Sequence, residues 1–129
     1  MGTHTLGELQ HAIMRVLWAR DEATVANVHE ALFDERGLAP TTIATMLRKM
    51  EDKGVVAHRV DDRHFVYRPT VTEDEVRSSM VGELLDRLFA GDPAALVSHL
   101  VADRDIDEAE IERLRTLLEG SEKRKDEHR

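Results

Sequence analysis

Apolar residues at Leu6, Leu9, Ile13, Val16 and Leu17 recur at helical spacing up to Trp18, so the chain opens on an amphipathic helix. Thr5 and Glu8 stand three apart ahead of that stripe, the T-x-x-E spacing of a capping box, and predict a start at Thr5. After a charged turn, Thr24 is suited to cap a second helix that carries Val25, Val28 and Leu32 on one face and ends before Gly37. A third helix is predicted from Pro40, whose missing N–H would be unpaired in a first turn anyway. It ends at Gly54, which suits a left-handed C-terminal cap. The period then changes. Residues 55–60 and 64–68 are short and rich in β-branched and aromatic side chains, with Asp61-Asp62-Arg63 as the turn between them and Pro69 as the stop. Three helices followed by a hairpin is the order of a winged helix-turn-helix.

The second half is helical again. Thr72 with Glu75 forms another capping box, stapled by Val71 and Val76, and Gly91 ends that helix. Asp92-Pro93 starts a shorter helix that runs to about Ala102. Asp107 with Glu110 starts a last one, stapled by Ile106 and Ile111 and continued by Leu114, Leu117 and Leu118. Nothing apolar remains from Gly120 to Arg129, which reads as a flexible charged tail. The chain therefore reads as mostly α with a small β-hairpin wing. Residues 1–70 form a winged helix-turn-helix domain, 71–119 a three-helix C-terminal dimerisation domain and 120–129 the tail.

Dimerisation is expected from the helix that starts at Thr72. Its apolar residues cover an arc of roughly 220°, where a monomeric surface helix needs only about 100°. One side can be covered by the two helices that follow and the other by a second copy. The interface is expected at Val76, Met80, Leu84, Leu85, Leu88, Phe89, Leu114, Leu117 and Leu118.

Composition narrows the class. Only five residues are aromatic and cysteine is absent, which favours a helical interior and removes disulfides, thiolate metal sites and Cys nucleophiles. No apolar run approaches the length of a membrane span and no signal peptide opens the chain, so a cytoplasmic protein without membrane insertion is expected. The net charge of -8 is unevenly placed. Residues 1–70 carry a net -1 and residues 71–129 a net -7, while 41–68 hold six basic against four acidic side chains. A locally basic segment joined to an acidic half leaves nucleic acid open as a partner.

The third helix carries the sharpest signal. At 100° per residue, Thr41, Thr42, Thr45, Arg48, Lys49 and Asp52 share one arc, and Ile43, Met46, Leu47 and Met50 share the opposite one. An outward stripe of small hydroxyls followed by long cations suits a helix end in a major groove. Thr methyls and hydroxyls can touch base edges, and Arg can grip guanine or a phosphate. The wing over 55–68 adds Arg59, Arg63, His64 and Arg68 as backbone contacts. Asp61 and Asp62 at its tip disfavour deep minor-groove insertion. A winged helix that binds another protein, with the acidic half as the docking surface, is the alternative.

Enzyme signals fail one by one. His29-Glu30 could open an H-E-x-x-H zinc motif, but the fifth residue is Phe33. No glycine-rich phosphate loop or serine elbow occurs. His58 and His64 come close across the predicted hairpin, but two ligands do not make a metal site. No catalysis, metal or cofactor is expected.

The runs LAPTTIATMLRKMEDKGVV, FVYRPTVTEDEVR, LFAGDPAALVSHL and IDEAEIERLRTLL, in that order, resemble the penicillinase-repressor (BlaI/MecI) family of bacterial transcription regulators, and the similarity spans residues 6–119. The resemblance implies repression by a homodimer on a pseudo-palindromic operator, with Pro40–Lys53 as the recognition helix and Thr41, Thr42, Thr45 and Arg48 facing bases. Ala44 occupies a position where some relatives carry a longer side chain. In the β-lactam-resistance branch, a membrane sensor-protease system leads to repressor cleavage at an Asn-Phe bond. The matching position here is His99-Leu100. Copper-responsive relatives carry a Cys-rich C-terminus, which this chain lacks.

Overall fold

In the computed structural model, which describes residues 6–103 and 105–127, helix α1 spans Glu8–Arg20. Thr5, expected to cap it, lies outside the described residues. The cap position is Gly7, extended and without a side-chain bond, so the helix begins later than the Thr5–Glu8 spacing predicts. Leu6 enters the core from the extended chain ahead of it.

Helix α2 (Val25–Arg36) is capped at both ends. The Asn27 amide donates to Thr24 Oγ1 at 3.1 Å, and the Thr24 amide donates back to Asn27 Oδ1 at 3.0 Å. Helix α3 (Pro40–Lys53) ends at Gly54, whose φ of +89° admits a residue without Cβ at little cost. One face of each helix is sealed inside: Ile13, Met14 and Leu17 from α1, Val28 from α2, and Ile43, Leu47 and Met50 from α3.

Strand β1 (Ala23–Thr24) is only two residues long, too short to leave a periodic signal in the sequence. It pairs antiparallel with β3 (His64–Pro69), which pairs antiparallel with β2 (Val56–Asp61). The sheet order is β1-β3-β2. The base of the hairpin is closed by Thr70, whose amide donates to the Val55 carbonyl at 2.9 Å and whose hydroxyl donates to the Gly54 carbonyl at 2.6 Å. Residues 6–69 are thus a winged helix.

Helix α4 (Glu73–Phe89) starts as the capping box predicts, with the Glu75 amide donating to Thr72 Oγ1 at 3.0 Å. Its first turns belong to the winged helix. Val71 and Val76 are buried in the same core, with Met80 packed against it. The chain accordingly divides into two compact units at Leu84/Leu85 and not at residues 70/71. Val76, expected between two copies, is 1% exposed within one chain and has no surface left for a partner.

The second unit holds the end of α4, α5 (Pro93–Asp103) and α6 (Glu108–Glu127). Asp92 Oδ1 accepts from the Ala94 amide at 3.0 Å and Asp107 Oδ1 from the Glu110 amide at 2.8 Å, so both acidic caps act as predicted. Helix α6 continues through Gly120 to Glu127, where the composition predicts a flexible tail. A run of Glu, Lys and Arg has good intrinsic helix propensity even without an apolar stripe. Among the described residues, no helix is long and apolar enough to cross a membrane.

Candidate nucleic-acid interface

The fold turns the predicted stripe of α3 outward. Thr41, Thr42, Thr45, Arg48 and Lys49 are all exposed, and Ile43, Leu47 and Met50 lie inside. At the start of this helix Ala39 makes no side-chain cap bond and Pro40 has no N–H. Its positive dipole end is therefore not covered by a capping side chain, unlike that of α2.

The wing turns through Asp62 and Arg63, which have φ of +48° and +68°. Positive φ at both central residues is the pattern of a type I′ hairpin turn, in which Asn and Gly are usual. Arg63 adopts it against the ordinary preference of an L side chain. The turn places Arg63 and His64 at the exposed tip of the hairpin.

Register divides the wing into two faces. His58 opposes Tyr67 and Val60 opposes Phe65 on one face. Ala57 opposes Arg68, Arg59 opposes Val66, and Asp61 opposes His64 on the other. The first face meets α3: Glu51 Oε1 and Oε2 accept from His58 Nδ1–H at 2.7 and 2.8 Å. The Phe65 ring stacks on His58 with centroids 4.2 Å apart and planes at 15°. Burial raises the pKa of the Tyr67 hydroxyl above its ordinary value, the Glu51 charge adds to that and Arg48 opposes it.

Between α3, the wing and the start of α2 runs a groove of about 230 Å³. It is lined by Ala44 and Arg48 of α3, by Arg63, His64, Phe65 and Tyr67 of the wing, and by Thr24, Val25 and Ala26. Three of the predicted contact residues, Arg48, Arg63 and His64, therefore meet around one groove. Ala44 is small enough to leave it open.

Arg59 is placed differently. Its Nη2–H donates to Glu22 Oε1 at 2.8 Å and its Nε–H to Glu22 Oε2 at 3.4 Å, and Nη1 lies 3.6 Å from Asp61 Oδ2. The hydrogen bond from Arg59 holds the Glu22 carboxyl below its ordinary range, with the charges of Arg59 and Arg68 adding to it, and Glu22 raises Arg59 in return. Arg59 and Arg68 thus share the wing face that carries the Glu22 pair, and the first acts as a strap to the residue just before β1. His58 and His64 lie on opposite faces by register, so they do not converge as metal ligands.

Sequence reasoning misses the Thr24–Ala26 edge of the groove, the Glu51–His58 contact and the Glu22 partner. One signal was available: strict alternation along 56–61 puts His58 and Arg59 on opposite faces of the wing.

In the second unit, Leu88, Leu117 and Leu118 are 66%, 62% and 64% exposed, and α5 contains no buried residue. Leu84, in the first unit, is exposed too, while Met80, Leu85, Phe89 and Leu114 are half-buried. His99 and Leu100 lie inside α5, where His99 Nε2 sits 3.0 Å from Asp103 Oδ2 and its ring stands edge-on to Phe89.

Comparison with known proteins places this arrangement in context. The penicillinase repressor family profile matches residues 6–120. The transcriptional regulator BlaI of Mycobacterium tuberculosis is 40% identical over 116 residues, which cover 88% of this chain and 83% of that protein. The penicillinase repressor of Bacillus licheniformis is 26% identical and the two cover 95% of each other. Among solved structures, the DNA binding domain of the repressor BlaI superposes with a TM-score of 0.52 at 28% identity, over 58% of this chain and 93% of that one. The chain belongs to the penicillinase repressor family.

Proposed function

We propose that this protein is a homodimeric transcriptional repressor that binds a specific operator in the cytoplasm, with α3 in the major groove and the wing on the backbone. One observation carries the reading: Arg48 of the recognition helix and Arg63 and His64 of the wing line a single groove beside an exposed threonine stripe. Arg48 and the threonines can read base edges while the wing cations neutralise phosphates. Family membership and the names of its relatives, a transcriptional regulator and a penicillinase repressor, support the same reading.

The second unit supports the homodimer. Exposed leucines on two helices and an apolar helix with no buried residue are costly to leave in water, and a second copy of the same surface covers them with two-fold symmetry. Two recognition helices related in this way fit half-sites about one helical turn of DNA, or a multiple of it, apart. Nuclease footprinting on the DNA immediately upstream of the protein's own gene tests this. Two protected half-sites related by inverted symmetry are expected; a uniform coat with no defined boundary would contradict it.

A further inference from the structure

The groove depends on how the wing is held against α3: Val56 and Tyr67 share a core with Ile43, Leu47 and Met50, and at the exposed end His58 bridges the two elements. His58 sits in β2 between two partners from different elements. On one side Glu51, in the last turns of α3, accepts its Nδ1–H with both carboxylate oxygens. On the other, Phe65 of β3 stacks on the imidazole nearly parallel, and Tyr67 stands at 5.5 Å. Imidazole and carboxylate are each about a third exposed, so the contact is partly shielded from water. Glu51 is one turn beyond Arg48 on the same helix, and Phe65 is two residues from Arg63. Moving His58 would therefore change the distance between the cations of the helix and those of the wing.

Resting on the DNA-binding reading above, we propose that His58 is a positioning residue: with Glu51 it clamps the wing to the recognition helix and sets the spacing at which Arg48 and Arg63 meet one duplex. His58 touches no DNA in this scheme. Its effect reaches the duplex through the groove walls, as supporting contacts do when they fix the groups that bind.

A double-mutant cycle on the full chain tests it. Glu51→Ala removes the acceptor, His58→Phe keeps the stack on Phe65 but removes the donor, and Glu51→Gln retains a hydrogen-bonding group. The probe is a labelled duplex from upstream of the protein's own gene, read well below each variant's melting temperature. Glu51→Ala and His58→Phe should each weaken binding roughly tenfold. The double variant should be no weaker than either single one, and Glu51→Gln should recover most of the loss. Without DNA, ¹⁵N relaxation should show residues 58–66 becoming more mobile in the two disruptive variants, with the core amides unchanged. Binding as tight as wild type in both single variants, or losses that simply add, would overturn the clamp alone. A wild-type chain that binds no duplex would overturn the DNA-binding reading and the clamp with it, even with the wing ordered.

Discussion

The indole Nε1–H of Trp18 donates to the main-chain carbonyl of Val71 at 2.9 Å. It ties the end of α1 to the segment that leads from the wing into α4, so the last element of the winged helix is fixed to its first. Replacing the only tryptophan by Phe leaves that carbonyl without its partner. Trp18→Phe should destabilise the chain by about 1–3 kcal/mol in a urea titration followed by circular dichroism. An unchanged midpoint would mean that water replaces the indole without loss.

Arg48 and Arg63 line one groove but are assigned different tasks. Arg48→Ala should cost about 1–3 kcal/mol on the specific duplex and little on a scrambled one. Arg63→Ala should weaken both alike and lower the slope of log affinity against log salt by about one. Competition binding on the two duplexes separates these patterns, and equal losses for Arg48→Ala would remove it from base reading.

Arg63 also stands at φ +68°, where glycine is at ease. Arg63→Gly should therefore stabilise the folded chain by roughly 0.5–1 kcal/mol while it weakens DNA binding. A variant that is both less stable and weaker in binding would show that the turn carries no such strain.

The Glu22–Arg59 pair makes stability depend on pH in a defined direction. Because Arg59 holds the Glu22 carboxyl below its ordinary pKa, the unfolded chain binds more protons than the folded one across that window. The contribution is therefore present above the ordinary carboxylate pKa and is lost as pH falls through the depressed folded value. Glu22→Gln should melt below wild type at neutral pH, and the two should converge in acid. A constant gap at all pH values would assign the effect to packing.

Leu88 and Val76 lie on one helix and should behave oppositely. Leu88→Asp changes a side chain that is 66% exposed, so it should leave the winged helix folded while sedimentation shows monomers. Val76→Ala empties a buried position, so it should cost roughly 2 kcal/mol of stability and leave association of the folded chain intact.

Much of this molecule is legible in its sequence. The boundaries of α3 follow from Pro40 and Gly54, and the caps at Thr24, Thr72, Asp92 and Asp107 all form as their sequence context implies. These signals are local, and local chemistry suffices to read them. What the pattern does not carry is tertiary. Val76 belongs to an arc that looks two-sided on a helical wheel, yet the wheel cannot say which part of the arc the chain's own core takes. Arg59 looks like one more wing cation because its partner, Glu22, is 37 residues away. Strand β1 exists only because β3 offers an edge to it. The helical run past Gly120 is hidden because a lack of apolar residues marks the end of a packed face, not the end of a helix.

The most direct test of the central claim is fluorescence anisotropy of the full chain on a labelled duplex from upstream of its own gene, beside a scrambled duplex, across a salt series. A groove that joins Arg48 to Arg63 and His64 predicts tight binding to the first duplex, saturation at one dimer per site, and a linear fall of log affinity with log salt. Absence of binding to either duplex at low salt would contradict the account and leave the groove without its proposed ligand.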